Sequence, residues 1–333
     1  MTLINFAPPH RVEDIMRRKL ALACVVVVIL GAGGVHTWLA NRAVTPQAVL
    51  DAAIHAVRER ALNASEVDWA TEESKIRAMA AGAQRTSDVY PAIRAMLKAL
   101  NDHHSFLLVP DKANRMKTTG MAKTPPVVEL EPGAIGYVAM PGFAGTEGRA
   151  SALFSEGIRA DIEKIASQAR CGWIVDLRSD TGGNMWPMLE ALEPFLARQQ
   201  LGAFVFAKGD VKPWRIRVRT DGNMDLQHAN VAVLTGPHTV SSGEAVAVAF
   251  RGRDNTRSFG LPTRGLSTAN STIDLPDGSR LLLTTAVDQD RLGHRYGNPI
   301  EPDQIVAADP QASRDPTLAA ASQWLAGLCP VDR

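Results

Sequence analysis

The sequence predicts an α/β fold in which helices cover both faces of a sheet. From Gly133 onward, short and nearly continuous apolar runs alternate with longer segments of helical periodicity. Such runs are typical of strands that are buried on both faces. With 333 residues, 45% of them hydrophobic, the chain is long enough for one large domain or two modest ones.

An uncharged apolar segment precedes this part of the chain. Residues 20–40 contain no charged side chain, and as a helix they would extend about 30 Å, the thickness of a bilayer's hydrocarbon core. Arg17, Arg18 and Lys19 stand directly before the segment and Arg42 stands alone after it, which predicts that the N-terminus lies inside. We interpret residues 1–19 as a cytoplasmic tail and residues 20–40 as an uncleaved transmembrane signal anchor of the inner (cytoplasmic) membrane. The remainder would then face outward, into the periplasm if the source is bacterial.

A cleaved signal peptide is the alternative interpretation, although its apolar core usually spans only about 7–15 residues. A lipoprotein signal fits poorly, since Cys24 precedes most of the apolar run and an acylated cysteine should follow it. The other two cysteines, Cys171 and Cys329, can pair if the domain lies in an oxidising compartment.

Residues 45–101 are predicted to form a helical N-terminal subdomain. Thr45 and Pro46 are typical of a helix cap and a first helical residue, and Pro91 is expected to open a further short helix that ends near Leu100. Apolar residues recur at helical spacing in the first of these segments: Val49, Ala53, Ile54, Val57 and Ala61. Residues 111–126 are polar and are predicted to be a loop.

Three strands and three helices follow in alternation. The predicted strands lie in the segments "GAIGYVAMPGF", "CGWIVDLRSDTGGN" and "VAVLTG". Helices are expected at residues 150–168, at residues 185–198 and at the end of "GPHTVSSGEAVAVAF". The second strand runs into a glycine turn.

Composition argues against several classes of partner. The net charge is +1 and only 5% of the residues are aromatic, so neither a basic surface nor a base-stacking platform for nucleic acid is expected. The glycine turn lacks the spacing of a dinucleotide- or phosphate-binding loop. We expect no metal and no cofactor.

Ser241 can be explained in two ways. Ser241 and Glu244 fit a capping box, in which the serine caps the helix and the glutamate reaches back to it. Alternatively Ser241 is a nucleophile, which requires a base to take its proton and donors for an oxyanion. The pattern of this segment alone favours the cap.

Candidate partners for a nucleophile lie beside Ser241 and in two distant segments. The N–H of Ser242 at the helix start and those of Gly182 and Gly183 after the second strand are candidate oxyanion donors. Candidate bases are the histidines of "NDHHSF", His103 and His104, and the nearby His238.

Taken together, six segments come in an order that resembles one protease family. They are "NDHHSF", "GYVAMPGF", "WIVDLRSDTGG", "TVSSGEAVAVAF", "GLPTRG" and "YGNPIEPD". The series, over roughly residues 97–306, is similar to the C-terminal processing (tail-specific) serine proteases, which include the tricorn core protease and the interphotoreceptor retinoid-binding protein repeats. The resemblance implies a ClpP/crotonase-like sheet-and-helix core, here residues 102–333, with a small helical subdomain before it.

The resemblance also implies roles for individual residues. Ser241 would be the nucleophile of the family's threonine-x-serine-x-x-glutamate pattern, with oxyanion donors in Ser242 and in one glycine of the pair Gly182 and Gly183. Where many members carry a catalytic lysine, this chain has Leu266, which cannot accept a proton.

The tricorn-like branch instead uses a histidine and a glutamate. Its histidine falls on His104, and its glutamate falls on Glu301 of "IEPD", which would orient the histidine or polarise the site. Residues 111–132 are too few for the PDZ domain that many processing proteases insert there.

These inferences predict a membrane-anchored serine peptidase that cleaves peptide or protein substrates through an acyl-enzyme. Two alternatives stay open: a non-catalytic peptide- or lipid-binding protein on the same fold, and a small-molecule esterase.

Overall fold

The computed structural model describes residues 44–118, 124–145, 148–196, 200–216, 224–307, 309 and 311–329, with only the backbone described at 115–118. The predicted transmembrane segment at residues 20–40 lies outside these ranges. Within them, no helix combines the length and the apolar character needed to cross a membrane.

Nine α-helices and eleven strands make up the described part of the chain. The helices are α1 (Pro46–Arg60), α2 (Trp69–Met79), α3 (Tyr90–Ala99), α4 (Pro110–Thr118), α5 (Arg149–Ile165), α6 (Met185–Ala191), α7 (Glu193–Leu196), α8 (Ser242–Phe250) and α9 (Pro316–Leu328). The strands are β1 (Phe106–Leu108), β2 (Val127–Glu131), β3 (Ile135–Ala139), β4 (Gly172–Asp176), β5 (Gly202–Phe206), β6 (Val211–Pro213), β7 (Val231–Thr235), β8 (Thr256–Gly260), β9 (Thr268–Asp274), β10 (Arg280–Asp290) and β11 (Gln304–Ile305).

The larger sheet has six strands in the order β11-β8-β7-β4-β3-β2, all parallel except β2. Side chains of its central strands alternate between two cores. In β4, Trp173 and Val175 pack with helices α5, α6 and α8, whereas Ile174 packs with Leu325 of α9 on the opposite face. The prediction of a sheet covered by helices on both faces is therefore confirmed.

The smaller sheet has five strands and is organised around β10. Strand β9 pairs antiparallel along one edge of β10, while β1 and β5 pair with successive segments of its other edge and β6 extends the sheet beyond β5. Strand β1, which follows α3, and strand β9, which precedes β10, therefore belong to the same sheet.

Helices α1–α3 bear out the predicted helical character of the N-terminal region, and α1 begins at Pro46 as expected. Their apolar faces bury Leu50, Ile93 and Met96 together with Leu281 and Leu283 of β10. This packing places the turn that follows α3 beside the five-stranded sheet.

Two local predictions were wrong. The segment predicted as a loop at 111–126 begins with helix α4. Its first turns leave Asp111, Lys112 and Asn114 exposed and bury only Ala113 among the described side chains, so no apolar stripe marks it. The single helix predicted at 185–198 is divided at Leu192; a new short helix begins at Glu193, with Pro194 in its first turn.

Cys171 and Cys329 form a disulfide that joins positions 158 residues apart in sequence. Cys171 directly precedes β4 and Cys329 directly follows α9. The bond therefore fastens the covering helix to the sheet.

Candidate active site

The candidate nucleophile lies where two neighbouring parallel strands end. Strands β4 and β7 are adjacent in the sheet; β4 leads to Gly182 and Gly183, and β7 leads to Ser241. Because the carboxyl ends of parallel strands meet at one edge of a sheet, the two turns lie against each other. A Cβ on Gly182 would lie only 3.1 Å from the Ser241 Cβ and 2.6 Å from the Val240 carbonyl, so this close approach requires a glycine.

Ser241 has a backbone conformation that is costly for a residue with a side chain. Its φ is +56° and its ψ is −114°, a strain of roughly 1–3 kcal/mol that persists only where the surroundings enforce it. The Ser241 N–H donates to Glu244 Oε2 at 2.8 Å, so the glutamate of the predicted capping box does reach back.

Glu244 accepts hydrogen bonds from four donors. Its side chain is fully buried; Oε2 accepts from the N–H groups of Ser241 and Leu266, and Oε1 accepts from the Thr263 hydroxyl and the Gly265 N–H, all at 2.6–2.8 Å. Burial raises the pKa of Glu244, and these donors oppose the shift. The carboxylate thereby ties the Ser241 turn to the segment at 263–266.

Two backbone N–H groups beside Ser241 are available to an oxyanion. The Gly182 N–H is engaged, since it donates to Asp180 Oδ1 at 2.9 Å. The N–H groups of Gly183 and Ser242 have no acceptor among the described residues, and the Ser242 hydroxyl donates to the Gly183 carbonyl at 2.8 Å. Of the predicted donors, Ser242 and Gly183 are therefore free and Gly182 is not.

Asp180 contacts both the glycine turn at Gly182 and the start of α8. It is fully buried, and burial raises its pKa to about 7, a shift that the hydrogen bond from Gly182 partly offsets. A Cβ on Gly243 would lie 2.7 Å from the Asp180 Cγ, so Asp180 packs directly under the start of α8.

His104 lies in the turn that leads into β1 of the five-stranded sheet. It is only 8% exposed, and its Nδ1 is 2.7 Å from the Thr268 hydroxyl oxygen of β9. Burial lowers the pKa of His104, while the charge of Asp102 acts in the opposite direction, so the neutral imidazole is favoured.

Hydrogen bonds with the side chains of Asp102 and Asn270 fix the turn that carries His104. Asp102 accepts from the His104 N–H at 3.0 Å and from the backbone and hydroxyl of Ser105. The Asn270 side-chain amide of β9 donates to the His104 carbonyl at 2.9 Å. Hydrogen bonds therefore hold both the backbone and the imidazole ring of His104 in place.

Ser241 and His104 line one cavity of about 680 Å³. The six-stranded sheet contributes Gly183 and Ser242 after its strands, and the five-stranded sheet contributes Thr268 and Phe204. The predicted nucleophile, the predicted histidine and the two residues with free backbone N–H groups therefore line the same cavity.

Three predicted or candidate residues lie elsewhere. Glu301 is exposed, and its carbonyl accepts from Arg251, whose guanidinium also pairs with Asp303. Glu301 is not among the described residues that line the cavity, because its segment leads to β11 at the far edge of the six-stranded sheet. His103 and His238 are exposed and also lie outside the cavity wall.

Leu266 lies in the cavity wall, so the position to which the resemblance assigns the family's lysine faces the cavity but offers no base. Sequence reasoning missed Thr268 and Asp288, which also line the cavity. Thr268 begins a polar strand, "TANSTID", and nothing local distinguishes it from its neighbours. Asp288 lies within a long buried strand, where a carboxyl is unusual.

The chain is similar to several known proteins. A nisin-resistance protein from Lactococcus lactis is 27% identical over 302 residues, which cover 86% of this chain and 93% of that protein. The chloroplastic carboxyl-terminal-processing peptidase 2 of Arabidopsis thaliana is 28% identical over 154 residues, 44% of this chain and 29% of that protein. A lipoprotein structure from Streptococcus agalactiae shares the fold with a TM-score of 0.75 at 23% identity, over 86% of this chain and 98% of that one.

The model of peptidase family S41 matches residues 134–306. The matched region is just over half of the chain and includes both turns at the nucleophile side of the cavity. The chain therefore belongs to peptidase family S41 and is a serine peptidase.

Proposed function

We propose that the chain is a membrane-anchored serine peptidase in which Ser241 is the nucleophile and His104 its general base. The observation that carries this proposal is the shared cavity, which is lined by Ser241, His104 and the two residues with unengaged backbone N–H groups, Gly183 and Ser242. Each group has a role in acyl transfer that its chemistry fits.

The first half of the reaction forms an acyl-enzyme. His104 takes the proton of the Ser241 hydroxyl through Nε2 as the serine oxygen attacks the substrate carbonyl. The oxyanion that forms accepts hydrogen bonds from the N–H groups of Ser242 and Gly183, helped by the positive end of the α8 dipole. The imidazolium then gives its proton to the leaving amine. Water, deprotonated by His104, releases the acyl group in the second half.

We assign the proton of the neutral imidazole to Nδ1, which then donates to the Thr268 hydroxyl 2.7 Å away and leaves Nε2 as the acceptor. A threonine hydroxyl can both donate and accept, so this tautomer is part of the proposal. Thr268 orients the ring and accepts from the imidazolium as it forms. Its position corresponds to that of the aspartate in a serine–histidine–aspartate triad.

The anchor and the outward orientation rest on two further observations. Residues 20–40 are uncharged and follow three basic residues, and the Cys171–Cys329 disulfide suits an oxidising compartment. The test is membrane fractionation followed by protease digestion of intact cells or spheroplasts. A catalytic domain that co-sediments with membranes and is digested from outside supports this topology, and one that is protected contradicts it.

Peptides are the proposed substrate class. Similarity to a nisin-resistance protein over most of both chains makes nisin one specific peptide to test. Mass spectrometry of nisin incubated with wild-type protein and with the Ser241→Ala variant would show a product that only wild-type protein generates. An unchanged peptide would exclude nisin while leaving other peptides as substrates.

Fluorophosphonate labelling of the full-length chain in detergent tests the nucleophile and the base. We expect wild-type protein and the Ser242→Ala variant to be labelled, and the Ser241→Ala variant to be unlabelled. Labelling of the His104→Ala variant should slow by about 10³-fold or more, since an unassisted serine hydroxyl is a weak nucleophile.

Two variants complete this experiment. Lys212→Ala removes the lysine of the cavity wall and should leave labelling unchanged. Loss of labelling in this variant would instead identify Lys212 as the base. Wild-type protein that is folded by circular dichroism yet unlabelled would favour a non-catalytic binding protein. Labelled protein that cleaves short esters but no peptide would favour an esterase.

A further inference from the structure

Asp288 of β10 is a buried carboxyl without a partner. It is 1% exposed, and neither carboxyl oxygen has a hydrogen-bond partner among the described residues. Burial raises its pKa well above the ordinary value, and the charge of the nearby Glu244 adds to the shift. A buried polar group without a partner is unfavourable, so its place in this strand calls for a function.

The sheet register places this carboxyl on the cavity side. Asp288 is directly opposite Phe204 of β5, and residues opposite each other in an antiparallel pair project from the same face. Both side chains belong to the cavity wall that also contains Ser241. Asp288 therefore lies in the active-site cavity, on the sheet opposite the nucleophile.

Asp288 is also distinct in charge. Among the described residues of the cavity wall it is the one acidic side chain, and the other ionisable groups are His104 and Lys212. Lys212 is opposite Phe204 on the far side of β5, two strands or about 10 Å from Asp288, and it is exposed. No cation of the described wall neutralises the carboxyl.

Glu244 shows what a satisfied carboxyl looks like in the same region. Four donors converge on Glu244, so it has no capacity left for a ligand. Asp288 has its full capacity unused. The surroundings of Asp288 include Phe204, which contacts the rings of Trp186 and Trp214, and such aromatic surfaces suit an aliphatic stem that carries a cation.

We propose that Asp288 is a specificity residue that binds a lysine or arginine side chain of the substrate peptide inside the active-site cavity. The inference rests on the proposed peptidase function and names its substrate class. The cation supplies the missing partner, and the ionised carboxylate forms a charge-assisted hydrogen bond with it. Peptides with only neutral side chains near the scissile bond leave this carboxyl unpaired.

The test measures binding, so that it does not depend on catalysis. The full-length Ser241→Ala variant in detergent is titrated, by fluorescence anisotropy, with labelled dodecapeptides in which one position at a time is lysine or norleucine. Norleucine keeps the aliphatic stem and lacks the ammonium. At one or two positions, lysine should lower the dissociation constant about tenfold or more, a typical value for a charge-assisted pair.

Second-site variants assign the preference to Asp288. Adding Asp288→Asn, which keeps the shape of the side chain, should reduce the preference for lysine to within about twofold, and Asp288→Leu should do the same. Lys212→Gln is the matched control, since it changes a charge of the same wall and should leave the preference in place. Circular dichroism verifies that each variant is folded.

Two results would overturn the inference. One is equal affinity for lysine and norleucine peptides at every position, which includes no measurable binding of either. The other is a preference for lysine that persists in Asp288→Asn and Asp288→Leu. Failure of the proposed peptidase function is a separate outcome, since it is read from the labelling of wild-type Ser241.

Discussion

The two sides of the candidate active-site cavity, which carry the proposed nucleophile and the proposed base, are built in different ways. On the nucleophile side, Ser241 and Gly183 lie on turns that leave neighbouring parallel strands, and a buried carboxylate with four donors fixes the Ser241 turn. On the base side, His104 meets Thr268 across 164 residues of sequence through one side-chain hydrogen bond. The turns on the first side are therefore part of the packing and buried hydrogen bonds of the six-stranded sheet, whereas the imidazole on the second side is positioned by a single side-chain contact with a strand.

This difference has a consequence for substitutions. A change on the nucleophile side should disturb packing and buried hydrogen bonds, so stability and activity should fall together. A change at the imidazole's partner should reduce activity and leave the fold nearly as stable, because only one half-buried hydrogen bond is lost.

Glu244→Gln should have the largest effect among the supporting residues. An amide keeps only one acceptor atom, and its NH₂ group would face two of the four N–H or O–H donors. We expect the free energy of unfolding to fall by roughly 3 kcal/mol and kcat/KM to fall at least about 100-fold, since buried donors lose their partners and the strained Ser241 turn loses its restraint. Urea unfolding and peptide cleavage measure the two quantities. A variant that lost activity without losing stability would show that the Ser241 turn does not depend on this network.

Gly183→Ala should have the next largest effect. Gly183 has φ of +126°, and an added Cβ would lie 2.1 Å from the Phe143 carbonyl oxygen. The turn must shift and carry the N–H of residue 183 away from the oxyanion, which should lower kcat about 100-fold or more. Gly209→Ala is a matched control, because Gly209 has φ of +88° and an added Cβ would have no atom within 4 Å. It should retain wild-type kcat, and an equal loss in both variants would assign the effect to backbone strain.

The same difference explains which residues could be predicted from sequence. The strand, glycine turn and helix start that surround Ser241 are contiguous sequence patterns, and the order in which they follow one another along the chain points to the family. The choice between Gly182 and Gly183 could not be made, because it depends on whether the Asp180 side chain turns back to its own loop. Thr268 and Asp288 have no local signature at all, since their roles arise from pairing between β9, β10 and β5.

Thr268→Val tests the base side and should have a moderate effect. Valine keeps the shape of the side chain but cannot accept from Nδ1–H. We expect kcat/KM to fall about tenfold at pH 8 while the free energy of unfolding changes by less than about 1 kcal/mol.

The pH dependence gives this variant a second readout. Burial already lowers the pKa of His104 from 6.5, so wild-type kcat/KM should be level at pH 7–8 and decline in acid with a midpoint below 6.5 as the base becomes protonated. Without the Thr268 acceptor the imidazolium is less stable, and the midpoint should move to lower pH still. An unchanged midpoint, or one that rises, would exclude Thr268 as the residue that holds the imidazole.

Glu301→Gln should have the smallest effect, and it is chemically identical to the change at Glu244. The Glu301 side chain is exposed, and the contact it makes with Arg251 is through its backbone carbonyl, which the substitution leaves in place. We expect kcat/KM to change by less than about twofold and the free energy of unfolding by less than about 0.5 kcal/mol, as at most exposed positions. A loss of kcat with unchanged stability would instead mean that residues 300–303 move toward the cavity when substrate binds. Glu301 would then have the catalytic role that the resemblance assigned to it. The pair of glutamate variants thus separates a carboxylate that holds the nucleophile's turn from one that only follows the family pattern in sequence.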